Sequence, residues 1–320
     1  MAKITDAPAA LDDYMRERTA EIDAALARYI AAPPRCPADI ADAMRYSLMA
    51  GGKRLRPLLT LSAADAVRPL AGLSPTEARA YALPAACAIE MIHTYSLIHD
   101  DLPAMDDDTM RRGRPTLHVV VGDGMAILAG DGLQAEAFAL AAREPESQEP
   151  AVMVRKLEVI GIIADAAGPV GMVGGQAIDL SAVKPSSRGL PVALDYSALQ
   201  DMHARKTGAL IRAAAVCGAV MAGGDRRTID AIDRYAMEIG LAFQIVDDVL
   251  DVEAASDTLG KTAGKDAAAG KPTYPSMVGL ERSRELAADC VARALESLDT
   301  VELGSCHLAG IAQRILTRRS

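Results

Sequence analysis

The stretch MIHTYSLIHDDLPAMDDDTMRRGRP, Met91 to Pro115, places five aspartates within nine residues and follows them with two arginines. The aspartates are Asp100, Asp101, Asp106, Asp107 and Asp108; the arginines are Arg111 and Arg112. Like charges at this density fold compactly only if cations neutralise them or water surrounds them. The apolar lead-in of Ile92, Tyr95, Leu97 and Ile98 carries the chain inward, which argues against water. Oxygen ligands with no histidine or thiolate grouping suit Mg²⁺, which keeps several waters and bridges one or two carboxylates to substrate phosphates. The arginine pair is what phosphate oxygens require. On its own the stretch means metal plus phosphate.

A second acidic stretch, FQIVDDVLD, runs from Phe243 to Asp251. Asp247 and Asp251 are four apart and share a helix face, with Asp248 beside them. In the first stretch Asp100 and Asp106 are six apart, which helical spacing does not align. Pro103 lies between them and interrupts the helical ladder. The expectation is a bulge or early helix end that swings Asp106 back toward Asp100. Two such segments facing each other across a cavity could hold a diphosphate through several Mg²⁺ ions.

Composition points to helices. Half of the 320 residues are apolar, but there are only two Phe, eight Tyr and no Trp. Alanine-rich, aromatic-poor sequence favours close-packed helices over sheets. The formal net charge is −9 and no basic stripe occurs, so no nucleic-acid partner is expected. Five scattered cysteines without a CxxC indicate neither zinc nor a disulfide framework. The N-terminus lacks the apolar core of a signal peptide. The longest apolar run, Ala213 to Ala222, is shorter than the ~20 residues of a membrane span. A soluble cytoplasmic protein with no transmembrane segment is therefore expected.

Ser74-Pro75-Thr76-Glu77 is a helix start with a capping box, opening a long central helix to about Asp101, kinked at Pro84. His93 lies on the face of Asp100, nearly two turns earlier. GGKRLRP, residues 51–57, sets Lys53, Arg54 and Arg56 on a glycine turn. This reads equally as a phosphate cradle or as an ordinary basic helix end. A long helix is expected from Asp195 to Gly223, and another from Thr228 to Asp251. No repeat or linker divides the chain.

With both aspartate motifs in this order and the basic residues around them, the chain resembles the trans-polyprenyl diphosphate synthases. It is most similar to the bacterial-type farnesyl diphosphate synthases. DDLPAMD corresponds to their first aspartate-rich motif and DDVLD to the second, over about Met49 to Pro275. The resemblance implies one all-α domain over residues 1–320, an isoprenoid-synthase-type helical bundle around a deep central cavity, and a homodimer. It implies Mg²⁺, three ions per active site, on Asp100, Asp101, Asp106, Asp247, Asp248 and Asp251. Lys53, Arg56, His93 and Arg112 correspond to the residues that grip isopentenyl diphosphate. Arg111, Lys206, Lys261 and Lys271 correspond to those on the allylic diphosphate, the last two from a lid over 258–275. Gln176 and Asp179 would orient the first metal site, and Thr207 and Gln244 would flank the cation. Tyr95 with Ser96, one turn before the aspartates, would form the floor that limits the growing chain. An aromatic there implies a C15 product. The implied reaction is head-to-tail condensation of isopentenyl diphosphate with dimethylallyl or geranyl diphosphate.

Three alternatives stand beside farnesyl diphosphate synthesis. A geranylgeranyl or longer-chain synthase carries the same motifs. A terpene cyclase needs no second diphosphate site, so GGKRLRP speaks against it. A non-catalytic subunit of a heteromeric synthase commonly lacks one aspartate motif, and both are present here.

Overall fold

The structure is a computed structural model that describes residues 7–183, 194–257, 272–304 and 306–318. Among the described residues the fold is all-α apart from one hairpin of two two-residue strands, and the chain divides into two compact units. One unit comprises Pro8–Ile163 with Ala214–Asp225; the other comprises Ala164–Ala213 with Arg226–Ser320.

The first unit holds α1 (Ala7–Tyr29), α2 (Ala38–Leu48), α3 (Leu55–Val67), α4 (Pro75–Asp100), α5 (Leu117–Val121) and α6 (Asp123–Arg143). It also holds most of α7 (Pro150–Ala167) and the end of α10 (Ala209–Met221). Helix α4 begins where its capping box demands. The Glu77 N–H donates to Ser74 Oγ at 3.2 Å, and the Ser74 N–H donates to Glu77 Oε2 at 2.9 Å. The helix continues through Pro84. Its residues from Pro84 to Ile92 are all buried, which marks a helix enclosed on every face rather than an amphipathic surface element. It packs against α3 and α6. Against α3, Gly218 of α10 meets the backbone directly: a Cβ there would overlap the Thr60 carbonyl oxygen.

The second unit holds α8 (Met172–Val183), α9 (Tyr196–His203), a π-helical turn (Ala204–Gly208) and α11 (Arg226–Asp257). Three more helices complete it: α12 (Tyr274–Val278), α13 (Leu280–Asp299) and α14 (His307–Thr317). The continuous helix expected from Asp195 to Gly223 is interrupted by the π turn. Two glycines account for its position. A Cβ on Gly175 of α8 would collide with the Lys206 backbone nitrogen, and one on Gly240 of α11 would lie 3.0 Å from Gly208 Cα. Backbones wedged this closely from two sides accommodate the extra residue of a π turn. Helices α11 and α13 are joined along their length, with Arg293 bidentate to Glu238 at 2.9 and 2.7 Å. The Tyr235 hydroxyl, wholly buried, donates to the Leu308 carbonyl at 2.7 Å and ties α11 to α14.

Two helical stretches, Asp123–Arg143 and Pro150–Ala182, are long and apolar enough to cross a membrane by length and composition. Neither contains an unbroken apolar run of that length, because glycines and charged residues punctuate both. Apolar side chains stay exposed here, among them Leu128, Val154 and Leu157.

Replacing Gly218 by Ala forces α10 away from the Thr60 carbonyl. The expected cost is about 1–3 kcal/mol of stability, the range for overpacked cores. In urea unfolding the midpoint falls while the slope is unchanged; an unchanged midpoint would show that the two backbones can separate freely.

Candidate functional site

In the first unit the chain leaves α4 at Asp100 and curls on itself. The Asp106 N–H donates to the Asp100 carbonyl at 2.9 Å, and the Asp107 N–H to the Leu102 carbonyl at 3.1 Å. Residues six apart in sequence thus become backbone neighbours. Asp107 sits at φ +54°, a conformation that costs energy outside glycine and is held here by the loop's hydrogen bonds.

Asp101 behaves differently from its neighbours. It is buried, and Arg111 chelates it, with Nε 2.8 and 3.0 Å from its two oxygens and Nη2 2.6 Å from Oδ1. Burial pushes the Asp101 carboxyl up, and the guanidinium of Arg111 opposes that shift. In this arrangement both oxygens of Asp101 serve Arg111.

Arg111 and Arg112 lie on a hairpin, β1 (Met110–Arg111) and β2 (Arg114–Pro115), with Arg111 paired to Arg114. The two-residue loop has Arg112 at φ +53° and Gly113 at φ +74°, the left-handed pair that a tight hairpin requires. The hairpin is tied to α2, because the Tyr46 hydroxyl donates to the Pro115 carbonyl at 2.9 Å. Behind it lies a small cavity of about 40 Å³, lined by Tyr46, Thr94, Asp101, Arg111 and Arg112 among others.

The hairpin presents Arg112 to the GGKRLRP turn. Its guanidinium donates to the Gly51 carbonyl and lies flat against Gly52, where a Cβ would come within 2.8 Å of it. Gly52 adopts φ +129°, so both space and backbone exclude a side chain there. Lys53 is exposed and Arg56 half-buried, while Arg54 turns inward and is 3% exposed. His93, half-buried on α4, is held well below its ordinary pKa by burial and then by Arg56, Arg112, Arg111 and Arg54. Burial likewise lowers Arg112, with Arg54 and Arg111 adding to the effect and Glu90 opposing it. Cations crowded to this degree form a site that favours an anion.

Tyr95 is 6% exposed, and its hydroxyl is buried without a hydrogen-bond partner. Burial, then the charge of Asp100, pushes it up to about 12. Its ring meets His99 edge-on at 5.7 Å. The Ser96 hydroxyl turns back on its own helix and donates to the His93 carbonyl at 2.8 Å.

In the second unit, α11 separates its three motif aspartates. Asp247 and Asp251 share one face, and Asp248 lies about 100° round the helix from Asp247. Asp248 is 3% exposed, and both its oxygens accept from the protein: Gln244 Nε2 at 2.9 Å and the Tyr274 N–H at 2.9 Å. Gln244 in turn accepts from Thr207 Oγ1 at 3.1 Å. His203 stacks on Tyr274 with centroids 5.6 Å apart, and burial lowers it to about 4. Lys206, on the π turn, donates to Asp179 at 2.5 Å. Both polar atoms of the Gln176 amide are buried with no hydrogen-bond partner.

Two residues had only a weak sequence signal. Arg54 appeared as one more cation of a basic turn. Arg318, near the end of the chain, pairs with Asp247, donates to the Phe243 carbonyl and stacks over the Phe243 ring at 4.0 Å. Lys261 and Lys271 lie outside the described residues, as does most of the expected lid.

The donors offered at the motifs are all oxygens, which fits Mg²⁺. Among the described residues no three His, Cys, Asp or Glu side chains converge as a ready-made metal cage.

Comparison with known proteins gives a consistent picture. Residues 37–303 match the family model described as polyprenyl synthetase. A farnesyl diphosphate synthase of Geobacillus stearothermophilus is 43% identical over 309 residues, covering 96% of this chain and 98% of that protein. A chloroplastic geranylgeranyl pyrophosphate synthase of Arabidopsis thaliana is 46% identical over 307 residues, covering 92% of this chain and 79% of that protein. The crystal structure of an FPP/GFPP synthase from Zymomonas mobilis superposes with a TM-score of 0.80 at 36% identity, over 96% of this chain and 99% of that one.

The depressed pKa of His93 has a signed consequence. Near pH 6 the unfolded chain binds a proton at this histidine and the native state does not, so stability falls as pH drops through the unfolded value of about 6.5. Urea unfolding at about pH 7.5 and about pH 5 should show a smaller acid-side loss in His93→Gln than in the wild type. An equal loss in both would mean that His93 is not held neutral.

Proposed function

Because the chain belongs to the polyprenyl synthetase family, we propose that it joins isopentenyl diphosphate head-to-tail to dimethylallyl and then geranyl diphosphate, releasing farnesyl diphosphate. It is a prenyltransferase of isoprenoid biosynthesis. The observation that carries the substrate reading is the cation cluster around His93, set beside the loop that joins Asp100 to Asp106.

The chemistry follows from what these residues offer. Lys53, Arg56 and Arg112 bind the diphosphate of the isopentenyl substrate, and neutral His93 adds a hydrogen bond without further positive charge. When bound, Mg²⁺ on Asp100, Asp106, Asp247 and Asp251 supplies electrophilic neutralisation of the departing diphosphate, with three ions implied by the resemblance. Arg111 and Lys206, each oriented by a carboxylate, add fixed positive charge for the same leaving group; the resemblance implies the same partner for Lys261 and Lys271. The allylic C1–O bond breaks and its electron pair leaves with the diphosphate. The isopentenyl double bond attacks the resulting cation through its terminal carbon, which leaves the charge on C3, and loss of a proton from C2 forms the new allylic alkene. No Ser–His or Cys–His pair is needed, since the departing diphosphate can accept that proton. The Thr207–Gln244 pair flanks the cation. Water must be excluded, because it would trap the cation as an alcohol.

Asp101 and Asp248 take supporting roles in this reading, the first orienting Arg111 and the second fixing Gln244 and the start of α12. The buried, unbonded hydroxyl of Tyr95 supports its part as the floor that stops growth at C15. Ser96, bonded to its own helix, contributes less. A geranylgeranyl product is the second reading, favoured by the 46% identity to the Arabidopsis protein. A homodimer, soluble in the cytoplasm, is proposed with it. The exposed Val119, Val120, Val121, Leu128, Val154 and Leu157 support a covered surface along α5, α6 and α7.

The pure chain, given Mg²⁺, isopentenyl diphosphate and each allylic primer, should yield chiefly C15 product by chromatography. No product from the chain alone would favour a non-catalytic subunit. Tyr95→Ala should extend products to C20 and beyond, and a variant that still stops at C15 would remove Tyr95 from the floor. Chelation should abolish turnover, and added Mg²⁺ should restore it.

A further inference from the structure

Arg54 stands between two residues assigned to the isopentenyl diphosphate, Lys53 and Arg56, yet its side chain points the other way. It is 3% exposed, and three guanidinium nitrogens have protein acceptors. Nε donates to Asp23 Oδ1 of α1 at 2.9 Å, Nη1 to Glu90 Oε1 of α4 at 2.7 Å, and Nη2 to the Leu48 carbonyl at the end of α2 at 2.8 Å. The Leu48 carbonyl belongs to the last helical turn, whose acceptors no longer have helical partners. One side chain therefore ties α1, α2 and α4 to the start of α3.

The backbone shows the same constraint. Arg54 is at φ +47°, two residues after Gly52 at +129° and three after Gly51 at +78°. A left-handed arginine is unfavourable unless its surroundings over-determine it. Here the buried guanidinium does so. Glu90 extends the link, because it acts electrostatically on Arg112 as well as bonding Arg54. It also precedes His93 by three residues on the same helix face. Lys53 and Arg56 thus flank a residue whose buried side chain fixes the shape of the turn.

We propose that Arg54 is the positioning residue of the isopentenyl-diphosphate turn: its buried bonds to Asp23, Glu90 and the Leu48 carbonyl hold Lys53, Arg56 and Arg112 in register for one diphosphate. This rests on the function proposed above. A merely structural role would lower stability and leave substrate preference unchanged, whereas a positioning role weakens one substrate selectively.

The test uses full-length Arg54→Lys and Asp23→Asn. The first keeps the charge but loses the fork of donors; the second removes only the negative charge of the half-exposed acceptor of Nε. Steady-state kinetics are measured for both substrates, with thermal unfolding alongside. The expected result is a rise of about tenfold or more in KM for isopentenyl diphosphate, with KM for the allylic diphosphate within about twofold of wild type. Asp23→Asn should show the same selectivity at smaller size, with Tm near wild type. Should Arg54→Lys not fold, Asp23→Asn carries the comparison. If the two KM values move together, or neither moves, the positioning role is wrong. A wild-type chain that makes no product would instead overturn the proposed function.

Discussion

Holding like charges close together without letting them relax is the constraint on which this structure depends. Five aspartates crowd one loop, and four arginines act on a single histidine. Each set is stable because other groups of opposite charge are buried at fixed points behind it. Asp101 chelates Arg111, Glu90 and Asp23 hold Arg54, and Asp179 holds Lys206. A buried ion pair adds little to net stability, since desolvation offsets its Coulomb energy. What such a pair does well is fix direction. The carboxylates in these pairs fix the direction of the charged groups bonded to them.

Backbone proximity does the complementary work. The Asp106 to Asp100 bond, the left-handed Arg112 and the glycines at 51 and 52 shape the first unit's site. In the second unit Gly175 and Gly240 press on the π turn that carries Lys206 and Thr207. These positions share a logic in which a small residue or a strained one brings the main chain where side chains alone could not. Strain collected in this way near a binding site is a recognised mark of function.

The residues differ in how openly the sequence displayed them. The α4 capping box was legible because its signal is local: four residues state their own hydrogen bonds. The turn at Pro103 was legible because proline interrupts the ladder and the aspartate spacing needs an explanation. The π turn was not, since its cause lies in two glycines from other helices. The split roles within DDVLD were half legible. Helical periodicity separates Asp248 from Asp247 and Asp251, but its partner Tyr274 is 26 residues away. Arg54 and Arg318 carried the same letter as neighbouring arginines, and nothing nearby distinguished them.

The amino-acid sequence by itself determined the chemical class. Oxygen-rich clusters, a basic glycine turn and an alanine-rich helical background follow from residue types and spacing, which are local properties. Tertiary structure alone decided which member of each charged pair faces outward, because that depends on which distant carboxylate or carbonyl it meets. Asp101 against Asp100, Arg54 against Lys53 and Asp248 against Asp247 are neighbours of like charge. Burial and hydrogen bonding, neither of which is written in a single residue, give them different work.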